Sequence, residues 1–154
     1  MRLRSAERAD AYALWLWAND AVTREASGAR PVIDWAGHID WFDRRLGSPS
    51  ALIYIGENPN EQPVGSIRFE SQDGWRTAVL SYVVAPEVRG RGYGRALLVE
   101  GAEAVRAVHP GVVLTAEVTT TNTRSTRLFE FLGWEELTPV GGRRQFADRR
   151  VASV

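Results

Sequence analysis

The stretch Val88–Arg95 constrains the fold of this chain more than any other feature, because it places three glycines within five residues. It follows a β-rich run, Thr77–Val84, and precedes an amphipathic helical run. Such a turn lets backbone N–H groups approach an anion, and the helix dipole adds positive potential. The stretch lacks the Lys-Ser/Thr pair of a P-loop, and the spacing of Gly90, Gly92 and Gly94 is not the dinucleotide fingerprint. By itself it predicts either a phosphate site or a turn for close helix–strand packing.

The composition restricts the remaining possibilities. The chain has 154 residues, 44% of them hydrophobic, which suffices for the core of one domain over residues 1–154. Its 19 basic residues, all arginine, balance 19 acidic ones, which argues against a nucleic-acid partner. Cysteine is absent and only two histidines occur, so we expect no metal. No apolar run approaches the roughly 18 residues of a membrane span, so we expect a cytoplasmic protein without a membrane partner.

Hydrophobic periodicity predicts a mixed α/β or α+β domain built on one central sheet. The predicted helices are 6–19 with Ser5 as N-cap, 35–46 between an N-cap at Asp34 and a left-handed Gly47, 96–108, and 126–132. The predicted strands are 2–4, 51–55, 64–69, 77–84, 112–118, 134–138 and 144–151. Residues 21–31 are predicted to form a loop. The nearly continuous apolar run at 112–118 predicts a strand covered on both faces.

Two motifs resemble those of the GNAT superfamily of acyl-CoA-dependent N-acetyltransferases. Arg89-Gly-Arg-Gly-Tyr-Gly94 is similar to the family's pyrophosphate loop, Q/R-x-x-G-x-G/A, and Asn122–Trp134 resembles its N-x-x-S/A-x-x-L-Y-E-x-x-G-F segment. The resemblance covers about residues 60–138. It implies the GNAT fold, a central, mixed, mostly antiparallel and splayed sheet flanked by helices. It also implies acetyl-CoA as the donor and a primary amine as the acceptor.

The resemblance further implies which residues bind acetyl-CoA. The backbone of Val83 and Val84 would pair with the pantetheine arm, and the glycine-rich loop would hold the pyrophosphate. We expect at least one of the loop's three arginines to contact the phosphates. The residues assigned to acetyl-CoA are Val83, Val84, Arg89, Gly90, Arg91, Gly92, Tyr93, Gly94, Arg95, Asn122, Ser125 and Phe129.

Glu117 is the predicted general base. A carboxylate within an otherwise apolar strand is costly to bury unless it is paired or functional, so the alternative is an exposed or arginine-paired side chain. The family resemblance implies direct attack of a neutral amine on the thioester, through a tetrahedral intermediate. A carboxylate would take the amine proton directly or through one water. We assign Ser81 to hold that water and the backbone N–H of Val84 to stabilise the oxyanion.

Phe129 departs from the family pattern, which commonly has a tyrosine there to protonate the leaving thiolate. Either the thiolate leaves unassisted, or another hydroxyl, such as that of Tyr82 or Ser125, substitutes. The departure also keeps a different class of function open. In that alternative, the chain is a GNAT-fold module that binds acyl-CoA without catalysis.

Four tryptophans in the amino-terminal third are candidates for either the core or an acceptor pocket. Trp15 and Trp35 lie on the apolar stripes of the predicted helices, which favours the core. Trp17 and Trp41 lie off the stripes and are the better pocket candidates, since aromatic faces pack on sugar rings and nucleobases. His38 shares a helix face with Trp41 and either hydrogen-bonds an acceptor hydroxyl or orients a loop.

The amino-terminal third also resembles acetyltransferases of nucleotide-linked 4-amino sugars, of the kind found in pseudaminic-acid pathways. The similar segments are Leu14–Asp20, Val22–Arg24 and His38–Phe42, although Ala18 stands where those enzymes often have arginine. The resemblance implies a nucleotide-linked amino sugar as the preferred acceptor. A polyamine and a protein N-terminus are the alternatives within the fold. The residues assigned to the acceptor are Trp17, Asn19, Arg24, His38 and Trp41.

Arg24 and Arg30 flank the predicted loop between the first two helices. A planar guanidinium suits a diphosphate, and a solvated surface position is the alternative. A polyamine site would instead need clustered carboxylates facing the cleft, and a peptide site an open groove beside the sheet. We expect a small-molecule amine as the partner, and a homodimer is left open.

Overall fold

Seven strands form one sheet in the computed structural model, which describes residues 1–150. They are β1 (Arg2–Ser5), β2 (Ala51–Glu57), β3 (Pro63–Glu70), β4 (Thr77–Val84), β5 (Val113–Thr119), β6 (Glu135–Val140) and β7 (Arg143–Asp148). Their order is β1-β2-β3-β4-β5-β7-β6, and every neighbouring pair is antiparallel except β4 and β5. The predicted mixed, mostly antiparallel sheet is therefore confirmed. Val151, at the end of the predicted last strand, lies outside the described residues.

Helices flank this sheet on both faces. They are α1 (Ala11–Asn19), α2 (Ala21–Ala26), α3 (Trp35–Leu46), α4 (Tyr93–Val108) and α5 (Thr123–Phe131). Of the helices within residues 1–150, none is long and apolar enough to cross a bilayer.

The core on one sheet face lies under α4 and α5. Leu97 and Val105 of α4 are fully buried against Ile67 and Phe69 of β3. Gly101 permits this close packing, because a Cβ there would lie 2.8 Å from the Ile67 Cδ1 atom. The helix predicted over 96–108 therefore packs on the sheet through the side that carries Leu97, Gly101 and Val105.

The core on the opposite face lies under α1 and α3. Leu14, Trp17 and Phe42 pack over Ile53 and Ile55 of β2. The register pairs Ile53 with Arg68 and Ile55 with Ser66, so these positions face away from α4. The two cores are thus separated by the sheet, and the second covers only part of its face.

The first helix begins later than predicted. Ser5 belongs to β1, and a 3-10 turn at Arg8–Asp10 precedes α1. Asp10 causes the late start, since its carboxylate accepts the Glu7 N–H at 2.7 Å and pairs with Arg4 at 2.8 Å. The prediction of Ser5 as the N-cap was therefore wrong.

Residues 21–31 are only partly a loop, because α2 occupies the first six. Asp20 caps α2 by accepting the Thr23 N–H at 3.2 Å. The helix is short and has no buried residue, so it carries no periodic apolar signal. The cap at Asp34 is confirmed by its acceptance of the Gly37 N–H at 3.0 Å, but Gly47 has φ −87° and is not left-handed.

β5 is not covered on both faces, contrary to the prediction. Leu114, Ala116 and Val118 are buried, whereas Thr115 is half-buried and Glu117 is exposed. This alternation is that of a strand with one face on a core and one face accessible. The accessible face is the one that carries the candidate active site.

Candidate active site

The active-site cleft forms where β4 and β5 separate. The two strands pair over Thr77–Val79 and Val113–Thr115 only, and then diverge. Leu80–Val83 and Ala116–Thr119 line the two sides of a cleft of about 550 Å³. Backbone groups that face this gap have no ladder partner across it, so they are available to a ligand. The predicted splayed sheet is confirmed here.

Glu117 and Ser81 both face this cleft. The register pairs Ser81 with Arg68 on β3 and Glu117 with Gln145 on β7, and all four alternate with buried core positions. Among the described residues, Glu117 has no arginine within ion-pair distance. Of the two environments considered, Glu117 is therefore exposed and not paired with an arginine, and its carboxylate is accessible to a bound molecule.

The backbone of β4 directs the N–H groups of alternate residues into the gap between the strands. The Ala85 N–H donates to the Val64 carbonyl oxygen at 2.8 Å, on the side of β3. Successive N–H groups of a strand point to opposite sides, so the N–H of Val84 faces the gap and that of Val83 faces β3. Of the two valines assigned to the donor, Val84 therefore has the available N–H, although the side chain of Val83 lines the cleft.

A pair of hydroxyl groups lies where the family tyrosine is missing. The Tyr82 hydroxyl is 2.6 Å from Ser125 Oγ, and Asn122 Oδ1 accepts the Ser125 N–H at 3.2 Å. Phe129 is fully buried and packs edge-on against Tyr82. Burial raises the pKa of the Tyr82 phenol, which keeps its proton at neutral pH. The site thus contains a protonated hydroxyl, that of Tyr82, beside Phe129, whose ring has no acidic proton.

The glycine-rich loop has an open outer side. Gly90 and Gly92 have φ of +79° and +86°, and a Cβ at either position would meet no atom within 4 Å. Gly92 is the N-cap of α4, so the first N–H groups of that 16-residue helix have no intrahelical partner. Gly94 differs, because a Cβ there would face inward, 3.5 Å from Tyr82. Loop and helix end fit the pyrophosphate group that the sequence predicts.

The three loop arginines have different environments. Arg89 pairs with Asp20 at 2.7 Å and donates to the Thr23 hydroxyl at 2.9 Å, so it ties the loop to α2. This guanidinium lowers the pKa of Asp20. The Arg95 guanidinium lies 4.9 Å from the centre of the Phe131 ring. Arg91 is exposed and has no carboxylate partner among the described residues, which leaves its charge available to a phosphate.

Two of the five residues assigned to the acceptor line the cleft. They are His38 and Trp41. The ring of His38 is buried, with Nε2 2.8 Å from the Ala11 carbonyl oxygen, so it donates there as the Nε2–H tautomer. Burial lowers the pKa of His38, which makes the ring neutral at pH 7. His38 therefore fixes α3 to α1 and presents one edge to the cleft.

The other three lie outside the cleft. Trp17 is 7% exposed and belongs to the core, while Asn19 holds the backbone of Ile33 through bonds of 2.8 and 2.9 Å. Arg24 donates to the Asn19 carbonyl oxygen at 3.2 Å. These side chains stabilise the connection between α1 and α3. Trp35, expected in the core, is 41% exposed.

Sequence reasoning missed several polar residues of the cleft. Arg68 and Ser66 on β3, and Thr119 and Arg143 at the far side, all line it. The alternation of Ser66 and Arg68 with the buried Ile67 and Phe69 was the available signal, because it places the polar pair on one face of β3. Within residues 1–150 no group of three potential metal-ligating side chains occurs.

The comparisons with known proteins agree with this geometry. The model of the Acetyltransferase (GNAT) family matches residues 9–134. No curated protein sequence matches the chain significantly.

Three solved structures illustrate the similarity. Spermidine N-acetyltransferase from Vibrio cholerae, in complex with CoA and spermine, has a TM-score of 0.81 at 18% identity, covering 95% of this chain and 90% of that chain. Ribosomal-protein-alanine N-acetyltransferase from Brucella melitensis has a TM-score of 0.78 at 26% identity, covering 97% and 100%. A protein provisionally described as a phosphinothricin N-acetyltransferase has a TM-score of 0.78 at 25% identity, covering 99% of each chain.

These structures are named for three different acceptors, so the shared fold does not select among acceptors. What they share is the transfer of an acyl group to nitrogen. The family match spans both the splayed strands and the glycine-rich loop. The chain therefore belongs to the GNAT family of N-acetyltransferases.

Proposed function

We propose that this protein transfers the acetyl group of acetyl-CoA to the primary amine of a small molecule, with an amino sugar on a nucleotide carrier as the preferred acceptor. The observation that carries the proposal is the cleft between β4 and β5. It brings a free carboxylate, Glu117, to the same opening as the available N–H of Val84. The glycine-rich loop lies beyond the end of β4.

Acetyl-CoA would supply the activated thioester, and the chain supplies groups suited to hold it. The N–H groups of Gly90–Gly92 and the start of α4 would bind the pyrophosphate, with Arg91 as the available positive charge. Arg89 would contribute by holding the loop in place through Asp20. Asn122 and Ser125 line the cleft and would contact the donor's pantetheine arm.

Glu117 acts as the general base in this proposal. The neutral amine attacks the thioester carbon and forms the C–N bond of a tetrahedral intermediate, and the Glu117 carboxylate takes the proton that this nitrogen must lose, directly or through a water held by Ser81. The C–S bond then breaks, and its electron pair leaves on the CoA sulfur as a thiolate. The Val84 N–H donates to the thioester oxygen, on which negative charge develops.

Tyr82 supplies the proton that Phe129 cannot. Its hydroxyl lies 2.6 Å from Ser125 Oγ and lines the same cleft as Glu117. A phenol that keeps its proton can donate to the leaving thiolate, whose conjugate acid has a pKa of about 8.5. The pair therefore gives this chain an alternative to the family's usual tyrosine.

The nucleotide-linked amino sugar is preferred because aromatic and hydroxyl side chains line the part of the cleft where the acceptor would bind. Trp41 contributes an aromatic edge beside Arg68, and the hydroxyl oxygens of Ser66 and Thr119, which donate to backbone carbonyl oxygens, can still accept hydrogen bonds. The polyamine named for the Vibrio cholerae structure is not preferred. Polycations require clustered carboxylates, whereas Glu117 is the one carboxylate among the cleft's described lining residues.

Release of free CoA thiol tests the proposal. Purified protein with acetyl-CoA is given a nucleotide-linked amino sugar, the free amino sugar, spermidine and a peptide with an N-terminal alanine. We expect acceptor-dependent thiol release, fastest with the nucleotide-linked sugar. Binding of acetyl-CoA without thiol release from any acceptor would instead favour the non-catalytic binding module.

A further inference from the structure

We infer that the acceptor carries a negatively charged group, a carboxylate or a phosphate, and that Arg68 binds it together with Arg30 and Arg143. The inference rests on the proposed function, because it names the chemical class of acceptor for the same cleft. All three arginines line the cleft. None of residues 85–95 does, so this cluster is separate from the glycine-rich loop and its pyrophosphate.

Arg68 is held in a fixed orientation at the base of the cleft. Its guanidinium lies 4.8 Å from the centre of the Trp41 ring, its Nε is 3.3 Å from Glu70, and its Nη2 donates to Ser81 Oγ at 3.4 Å. The side chain is 30% exposed. Nη1 donates to no group among the described residues. A planar fork that is already oriented, and that has a donor to spare, is suited to bidentate binding of an oxyanion.

The charge of Arg68 is incompletely neutralised. Glu70 is its one carboxylate partner within the described chain, and Glu70 also pairs with Arg45. Burial, followed by the nearby charges of Arg45 and Arg30, lowers the pKa of Arg68. Because a guanidinium stays protonated, this direction means that the charged form lies in an unfavourable field. A bound anion would relieve that field.

Arg30 and Arg143 extend the positive charge along the cleft. Neither has a carboxylate within ion-pair distance among residues 1–150. The Nη2 atom of Arg143 lies 3.6 Å from the position that a Cβ of Gly28 would occupy, so Arg143 faces the segment after α2. Thr119 closes the same end by donating to the Ala26 carbonyl oxygen at 2.8 Å. The cluster therefore lies on the acceptor side.

The lining of the cleft thus carries charges of both signs. Glu117 can receive the protonated amine of the acceptor, while the three guanidiniums can bind a negatively charged group of the same molecule. A zwitterionic or anionic amine fits this lining, whereas a polycation would be repelled by the arginines. A sugar nucleotide and an α-amino acid both meet this requirement, through phosphate and carboxylate respectively.

Matched acceptor pairs test the inference and separate the two sources. The pairs are a nucleotide-linked amino sugar with its free amino sugar, and an α-amino acid with its amide. We expect the anionic member of at least one pair to have a KM at least tenfold lower, and the pair that responds identifies the anion. Equal KM values within both pairs, or a preference for spermidine, would overturn the inference.

Arginine variants locate the effect. Arg68→Gln, Arg30→Gln and Arg143→Gln should each raise the KM of the anionic acceptor about 10- to 100-fold, as loss of a charge-assisted hydrogen bond does, with the neutral partner unchanged. Arg44→Gln, an exposed arginine of α3 paired with Asp40, is the matched control. Arg30 and Arg143 are exposed, so their variants keep the test valid if Arg68→Gln is unstable. An equal rise for both partners would contradict the assignment.

Calorimetry with CoA-saturated protein separates this inference from the proposed function. If no acceptor is acetylated, the proposed function fails. Binding of the anionic acceptors that is lost in Arg143→Gln would still support the anion site. Binding that is absent, or unaffected by all three variants, would overturn it.

Discussion

Substituting alanine at Gly92 and at Gly94 should have opposite consequences, although both glycines belong to one motif. Gly92 has φ +86°, a conformation that costs an alanine about 1–2 kcal/mol. Its Cβ would project to the open side of the loop, where backbone N–H groups must approach the pyrophosphate. We therefore expect Gly92→Ala to lose about 1–2 kcal/mol of unfolding free energy. Its Kd for acetyl-CoA should rise at least tenfold, or about 1.4 kcal/mol.

Gly94→Ala is the matched control. Its Cβ would make ordinary contacts at 3.5 to 3.7 Å with Tyr82, Leu128 and Val84, on the inner side of α4. Alanine is favoured over glycine within a helix by about 1 kcal/mol, so stability should hold or increase. Isothermal titration with acetyl-CoA and urea unfolding measure both effects. A Gly92→Ala protein with wild-type stability and affinity, or a Gly94→Ala protein that binds more weakly than Gly92→Ala, would show that the pyrophosphate does not lie over the open side of this loop.

Three further predictions follow from single contacts. Asp20→Asn should raise the KM for acetyl-CoA several-fold by releasing Arg89. Because Arg89 lowers the folded-state pKa of Asp20, the ion pair stabilises the fold above about pH 4. Acid unfolding should show that this stabilisation is lost as the pH falls through the folded-state pKa. Tyr82→Phe should lower kcat in thiol release about 10²- to 10⁴-fold with unchanged acetyl-CoA affinity, and an unaltered kcat would exclude Tyr82 as the acid. Burial lowers the folded-state pKa of His38, so wild-type stability should fall as the pH drops below about 6.5, a slope that His38→Gln should remove and that thermal unfolding across this range would measure.

The strand–loop–helix order around the glycine-rich loop could be predicted from the sequence because its determinants are local. The strand Thr77–Val84, the three glycines and the amphipathic run after them each depend on a few adjacent residues, whereas the start of α5 after its N-cap at Asn122 was not predicted. The seven strands were also found, with ends shifted by a few residues, because alternation and turn residues are local signals. The strands and the strand–loop–helix order could therefore be predicted without a structure.

The acceptor half depends on contacts between distant segments. Arg68 acquires its orientation from Trp41 on another element, and Arg89 finds its partner in Asp20, 69 residues away. Helical spacing in α1 and α3 could not show which stripe meets the sheet. Trp17, predicted to line the acceptor pocket, therefore lies in the core, and Trp35, predicted to lie in the core, is exposed. Periodicity identifies a face, but only the packed neighbours decide whether that face is core or cleft.

The kcat of Glu117→Gln is a direct test of the general base proposed for acetyl transfer. General-base catalysis contributes about 10²- to 10⁴-fold, so kcat for acetyl transfer should fall by that factor while the Kd for acetyl-CoA is unchanged. Glu103→Gln, an exposed carboxylate on α4 at the opposite face of the sheet, should keep the wild-type kcat. A Glu117→Gln protein with wild-type kcat would contradict the account.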